Sequence, residues 1–394
     1  MKQDGLFTKN FVLVVLINFF VFISHNLIVS TFPFYVESLG STTAVAGIIA
    51  ALFSVVAVVC RPFVGYFLNS GKRKSVLIIG LIGIGITPIG WTLFPTIVAL
   101  FIFRMLYGAS FAISSTSTAT IASDTVPKKR FAEGMGIFGV SIALATAIAP
   151  AIGLAIKNSI GFVPLYLIAA GCSAVAIVLF IILRVPAPEV HKQKFSIKTM
   201  FDKDALPASI VMLPFMLTYG AIENYIALFG EKSDAITVPG GVFFIIMACM
   251  LLFVRIVLGK VTDRRGEGIF VYTGNIAMGI AFILLAFTGN NVSYVIAAIL
   301  SGYAFGGMEP SLQAMAVHCA PFERRGSANS TFLCAYDIGI GVGAAIAGAL
   351  IDGIGFSGMF AVIAIGNLVS LLIYSFWAGR HKTSLTRAIK NGEK

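Results

Sequence analysis

Arg61-Pro62-Phe63-Val64-Gly65 closes one long apolar run, and 194 residues later Arg255-Ile256-Val257-Leu258-Gly259 closes another. The same offset recurs along the chain. Gly108 returns as Gly302, Pro127 and Arg130 as Pro321 and Arg324, and Gly161-Phe162 as Gly355-Phe356, every pair 194 residues apart. The pairs hold equivalent places: the end of the second apolar run, the middle of the fourth, the loop after it, and the turn before the sixth. One offset shared by four regions marks an internal duplication. Membrane proteins built of two repeated halves are typically transporters, with a site between the halves near mid-membrane.

Apolar runs lie at 10–32, 43–68, 75–95, 97–122, 134–156, 162–184, 207–230, 238–259, 269–288, 292–316, 328–351 and 355–378. A span needs ~20 apolar residues, so twelve need about 240 and leave about 150 for turns, linker and tails. The composition agrees: 58% hydrophobic and 11% charged, against roughly 45–50% and ~25% in soluble domains. This excludes a large soluble enzyme and a disordered chain. The 40 Gly and 34 Phe suit closely packed membrane helices. The first run is flanked by Lys2 and Lys9, is too long for a signal-peptide core, lacks a small-residue cleavage site, and is expected to remain as the first helix. The expected fold is an all-α membrane protein of 12 transmembrane helices in two pseudo-symmetric six-helix halves. Its parts are an N-terminal bundle over 1–184, a cytoplasmic linker over 185–206 with Pro186, Pro188 and several Lys, a C-terminal bundle over 207–378, and a basic cytoplasmic tail over 379–394.

Charge sets the orientation. With the N-terminus inside, 23 of the 28 Lys and Arg fall in inside segments, only Lys157 and Lys232 fall outside, and Arg61, Arg104 and Arg255 lie in or at helices. This is the positive-inside pattern, and it places both termini in the cytoplasm. The net charge of +11 then faces anionic lipid rather than nucleic acid. Compact size and short loops suit a bacterial plasma membrane. The five cysteines (60, 172, 249, 319 and 334) are scattered and form no CxxC or Cys/His cluster, so neither a disulfide framework nor a metal site is expected. P-loop, HExxH and Gly-x-Ser-x-Gly patterns are missing from the sequence. An enzyme or an ATP-driven pump is therefore not expected, and no cofactor beyond a proton gradient as energy source.

Three motifs carry a family resemblance. Gly259-Lys260-Val261-Thr262-Asp263-Arg264-Arg265-Gly266 follows the eighth run, and Gly65-Tyr66-Phe67-Leu68-Asn69-Ser70-Gly71-Lys72-Arg73-Lys74 follows the second. Together they resemble the G-x-x-x-D-R-x-G-basic loop of the major facilitator superfamily, which latches the inward side when the transporter faces outward. Glycine there lets helices touch, and an Asp near a helix end meets a positive dipole or an Arg. The N-terminal copy departs from the pattern: Asn69 stands where the family prefers Asp, and one residue is missing before Gly71. Asp263 is thus the expected working latch, and the same basic residues also read as plain topogenic charge. Arg104-Met105-Leu106-Tyr107-Gly108 resembles the family's embedded R-x-x-x-G. A charge at that depth costs ~2.5–3.5 kcal/mol even on insertion scales and needs a partner or a wet cavity. Ala145 to Gly153, with Ala149, Pro150 and Gly153, resembles the G-x-x-x-G-P-x-x-G motif of the drug:proton antiporters, with Ala at the first two Gly. In the family this pattern marks exporters.

Of 17 Asp and Glu, 14 fall in tails, loops or helix ends. Glu223, Glu309 and Asp337 are left inside spans, all in the C-terminal half. A carboxylate alternating between wet and dry surroundings takes up and releases a proton, the physical requirement of coupling. Asp337, nearest mid-span, is the first candidate. Tyr219 lies one turn before Glu223, and Phe305 shares the face of Glu309. The N-terminal half offers His25 and Asn26, with His25 able to titrate near neutral pH or to serve as a hydrogen-bonded packing residue. By the resemblance, the first, fourth, seventh and tenth helices line a cavity in which Asn26, His25, Arg104, Tyr219 and Phe305 are the candidate substrate contacts.

The leading expectation is proton-coupled efflux of a small, partly hydrophobic, drug-like molecule, with small-molecule substrate, protons and lipid bilayer as partners and a monomer as the working unit. The alternatives are export of a polar metabolite (a sugar or metal-chelating small molecule) or a lipid-like substrate, and, more remotely, a receptor or scaffold that lost transport.

Overall fold

The computed structural model describes residues 7–69, 72–126, 131–185, 201–287, 290–318 and 325–392, and every regular element among them is helical. Long apolar segments in hydrocarbon must satisfy their own backbone polar groups, and a helix does so within the segment. The first seven helices are α1 (Lys9–Val29), the short α2 (Phe32–Ser38), α3 (Thr43–Asn69), α4 (Arg73–Leu93), α5 (Ile97–Thr125), α6 (Phe131–Ile160) and α7 (Phe162–Ile182). Then follow α8 (Leu206–Lys232), α9 (Gly240–Arg265), α10 (Gly268–Phe287), α11 (Asn291–His318), α12 (Arg325–Ile363), α13 (Ile365–Phe376) and α14 (Leu385–Lys390). Starts are set by local chemistry: the Thr8 and Thr96 hydroxyls accept from Phe11 N and Ala99 N, capping α1 and α5. Most of the expected linker lies outside the described residues. Its end is a turn in which Asp202 Oδ1 accepts from Asp204 N (2.8 Å) and Asp202 N donates to Thr331 Oγ1 (2.9 Å).

Among the described residues ten helices are long and apolar enough to cross a membrane. The apolar part of α9 is the shorter Gly240–Arg255, and the stretch Ser330–Arg380 covers both of the last two expected spans. Gly355, at φ 73°, divides that stretch.

Contacts group the chain into two compact units, Met1–Leu39 with Val55–Phe195, and Gly40–Ser54 with Ser196–Lys394. The opening residues of α3 therefore belong by contact to the second unit, although they fall within the expected bundle 1–184. The cause is local. The Thr43 hydroxyl bonds the Asp352 carboxylate and the Gly348 carbonyl, Ala44 N donates to Asp352 Oδ2 (2.9 Å), and Tyr225 Oη donates to Thr43 O (3.0 Å). Asp352 thus supplies from α12 the acceptor that the first turn of α3 needs.

In the first unit α1 packs on α5, α6 and α7, and α4 on α5 and α7; in the second α8 packs on α12 and α13, and α11 on α9 and α10. Small residues set these approaches, since lipid supplies no hydrophobic drive between helices. A Cβ on Gly153 would lie 2.9 Å from the Leu27 carbonyl oxygen of α1.

The duplication is visible inside each unit. Gly161 and Gly355 both take positive φ (89° and 73°). The Tyr35 ring lies 5.1 and 5.0 Å from Phe162 and Tyr166; 194 residues on, Phe229 lies 5.5 and 5.1 Å from Phe356 and Phe360. Gly80 faces Ser114 just as Gly274 faces Met308, again at that offset. Of the pairs read from sequence, Pro127, Arg130, Pro321 and Arg324 lie outside the described residues.

Candidate functional site

In the second unit the embedded acids and their aromatic neighbours come from four helices. Tyr219 and Glu223 are on α8, Arg255 on α9, Phe305 and Glu309 on α11, Tyr336 and Asp337 on α12. Arg255 Nη2 donates to Glu309 Oε2 at 2.7 Å, both side chains largely buried. The buried Tyr219 ring stacks on Phe305, centroids 4.2 Å apart and planes 14° off parallel, and Phe305 in turn lies 6.4 Å from Tyr336. Glu223, Arg255 and Glu309 act electrostatically on the Tyr219 hydroxyl, and Glu223, Glu309 and Asp337 on that of Tyr336. The three acids singled out from sequence therefore share one electrostatic neighbourhood built on two tyrosines. Clustered carboxylates at low dielectric repel one another, and the repulsion is relieved by a proton or a cation. Arg255, seen in the sequence only as a member of the repeat, supplies one such cation.

The first unit holds the matching structure with different chemistry. His25 stacks on Phe111, centroids 4.1 Å apart and planes 21° off parallel. His25 and Phe111 each precede Tyr219 and Phe305 by the repeat offset of 194 residues. Arg104, buried on α5, sets its guanidinium 4.5 Å from the Phe32 ring centroid and 5.8 Å from that of Tyr107. Aromatic faces are thus among the partners that its depth requires, and a desolvated cation–π contact contributes ~2 kcal/mol. Arg61, the repeat partner of Arg255, donates from Nη1 to Thr116 Oγ1 (3.4 Å), one residue beyond Ser115, the repeat partner of Glu309.

Asn26 is buried, and its amide donates to Phe22 O (2.8 Å) and reaches Thr146 Oγ1 on α6 (3.5 Å). Asn18 ties α1 to both neighbours, accepting from Thr118 Oγ1 (2.8 Å) on α5 and donating to Ser141 Oγ (3.4 Å) on α6. Pro150 lies inside α6 with Ala149 buried beside it.

The stretch Gly259 to Gly266, expected as a loop, is helical through Arg265. Gly266 ends the helix with φ 76°, its N donating to Thr262 O (2.8 Å). Charge ends an apolar run, but it does not end a helix; the left-handed glycine does. Among the described residues a Cβ on Gly65 would find nothing within 4 Å, so close approach of a described helix is not what glycine provides there. Arg73 pairs with Asp124 at 2.8 Å. The side chains of Asn69, Asp263 and Arg264 lie outside the described residues, as does the surrounding of Gly259.

Glu267, which by its place in the sequence belongs with the loops, is a fully buried acid. Its Oε1 accepts from Tyr374 Oη (2.9 Å) and Ser384 Oγ (2.6 Å), and its Oε2 from Thr386 N (3.0 Å). The carboxylate thereby docks the chain end, burying Thr383, Ser384 and Leu385. The signal was the apolar spacing Leu385, Ala388, Ile389 inside a basic tail. Hydrogen bonds to a charged group contribute ~1.5–3 kcal/mol each. Glu267→Gln is therefore expected to undock the tail, read as at least tenfold faster tryptic cleavage after Lys382, Arg387 and Lys390. Unchanged cleavage would show that docking does not need the carboxylate.

Comparisons with known proteins add a family and a fold. The family model described as Major Facilitator Superfamily matches residues 14–308 and 259–393. The Staphylopine export protein of Staphylococcus aureus (strain Mu50 / ATCC 700699) is 25% identical over 375 residues, covering 90% of this chain and 93% of that one. Multidrug resistance protein 1 of Bacillus subtilis (strain 168) is 24% identical over 382 residues, covering 93% and 96%. Among solved structures, a POT family transporter in complex with 5-aminolevulinic acid superposes with TM-score 0.81 at 16% identity, covering 95% of this chain and 98% of that one.

Proposed function

Because this chain belongs to the Major Facilitator Superfamily, we propose that it is a proton-coupled exporter of a small, partly hydrophobic molecule, working by alternating access. The chain is a multi-pass membrane transporter; export, proton coupling and substrate class are the parts proposed. Relatives named for multidrug resistance support the export reading. The observation that carries it is the grouping of Glu223 and Glu309 about the Tyr219–Phe305 stack, with Asp337 joining them at the neighbouring Tyr336.

In this reading Arg255 offsets Glu309, and Glu223 and Asp337 hold the exchanged proton. A substrate cation relieves the same repulsion as a proton, so the two compete for one neighbourhood, and each discharges the other. The Tyr219–Phe305 plate offers an apolar face for the rest of the molecule. Within the first unit, His25, Arg104 and Asn26 are assigned as substrate contacts. Asn69, Arg73, Gly259, Asp263, Arg264 and Gly266 are assigned to the inside latch, and Gly65 to the same motif. Ala149, Pro150 and Gly153 are assigned to the antiporter motif of α6, with Pro150 inside the helix. Both termini are assigned to the cytoplasmic side of a bacterial plasma membrane, and a monomer is taken as the working unit.

Export of a polar metabolite is the second reading, favoured by the Arg255–Glu309 pair beside two further acids and by a relative named for staphylopine export. Purified protein in liposomes enclosing a pH-sensitive dye, without an imposed gradient, separates the two. Lipophilic cations are expected to evoke proton movement. A response to sugars or chelators alone would favour the second reading. Substrate uptake with no proton movement would overturn coupling.

A further inference from the structure

The docked tail builds a cavity that the transport reading does not use. After α13 ends at Phe376 the chain turns through Ala378–Arg380 and folds back as α14. Between these pieces lies a cavity of about 420 Å³ lined by Gly379, Arg380, Thr386, Arg387, Lys390 and Asn391. Among the described residues three cations and no acid form its wall.

The two described acids that hold the tail are already committed. Glu267 spends its oxygens on Tyr374, Ser384 and Thr386 N, and Asp204 pairs with Lys382 at 2.8 Å. Arg387 Nη1 donates to Arg380 O at 2.6 Å, which ties the α14 guanidinium to the preceding turn. The cavity is thus preorganised from below by a buried carboxylate.

Its surroundings point to a bilayer. Phe376 and Trp377 are exposed on the turn leading into it, where aromatic side chains mark the headgroup level. Arginine forks match phosphate oxygens, and basic pockets beside membrane helices hold anionic headgroups.

We propose that this cavity binds a phosphate group, supplied by the headgroup of an anionic phospholipid. Arg380 and Arg387 take the phosphate oxygens, Lys390 adds charge, and Thr386 and Asn391 serve the glycerol hydroxyls. The proposal does not depend on what the protein transports.

The test is native mass spectrometry of the full chain in neutral detergent, titrated with phosphatidylglycerol or phosphatidylcholine. Wild type is expected to hold one phosphatidylglycerol at least tenfold more tightly than phosphatidylcholine. The variant R380Q/R387Q/K390Q is expected to lose that preference. Its tail remains held by Glu267, which unchanged deuterium uptake at residues 383–386 would verify. A second arm adds millimolar glycerol phosphate. Retention of the lipid supports the headgroup source, whereas its displacement by glycerol phosphate would support the phosphate chemistry and overturn the lipid source. Equal affinity for both lipids in wild type, or an undiminished preference in the variant, would overturn the site.

Discussion

Asp337→Asn is expected to abolish substrate-evoked proton movement, by at least tenfold, in a protein that still folds and still binds substrate. Asn keeps the size and much of the hydrogen bonding of Asp but carries no exchangeable charge, so the change removes titration and little else. Asp337 follows Tyr336, whose hydroxyl also feels Glu223 and Glu309. Taking one charge from that group leaves the others with less repulsion to relieve, and the exchange loses its driving contact. The measurement is the liposome dye assay, with substrate counterflow in parallel as the control for a competent carrier. Proton movement within twofold of wild type would remove Asp337 from the coupling role. Glu309→Gln is the contrasting variant, because it strands Arg255 beside a neutral amide. Breaking a fully buried pair costs ~3–5 kcal/mol. The cost here is smaller, since the two side chains keep 23% and 17% of their exposure. A fall in thermal stability is therefore expected with Glu309→Gln and not with Asp337→Asn.

The second large effect is on stability alone. A Cβ on Gly302 of α11 would collide with the Met247 carbonyl oxygen of α9, and would lie 2.9 Å from Met247 C and 3.0 Å from its Cα. These are backbone atoms, so no side chain can swing aside and the two helices must part. Overpacking of this kind costs ~1–3 kcal/mol, and Gly302→Ala is expected to lower the melting temperature in detergent by several degrees. Gly65→Ala is the internal reference. No described atom lies within 4 Å of its Cβ position, and alanine in a helix is favoured over glycine by roughly 0.5–1 kcal/mol. Its melting temperature should stay level or rise. Equal melting of Gly302→Ala and wild type would mean that α9 and α11 separate without cost.

Both glycines are duplication landmarks, and sequence alone gave them the same reason for being there. That marks where legibility stops. Hydropathy reports where hydrocarbon begins and ends, so the apolar runs could be placed. It says little about where a helix ends, which is why Asp263 to Arg265 fell in an expected loop while α9 continues to Gly266. The three embedded acids could be singled out because charge inside an apolar run is costly. Their meeting around Tyr336 could not, because α8, α11 and α12 are brought together by packing that no spacing rule encodes. Glu267 was misread for the opposite reason: it stands between runs, and burial there depends on a tail whose polar residues look solvated. The aromatic stacks were hidden because matching by identity passes over positions where His25 has become Tyr219.

Those two stacks carry a historical consequence. Copies made by duplication start with identical charges, so a protein assembled from two identical halves holds the same set of charges around both of its ring pairs. Here the ring-on-ring plate has been conserved as a chassis in both copies while its fittings drifted apart: Arg104 lies near one plate, and Glu223, Glu309 and Asp337 near the other. The polarity of the molecule is younger than its shape, and reverting either copy to the likeness of its twin would erase that polarity while leaving the scaffold standing.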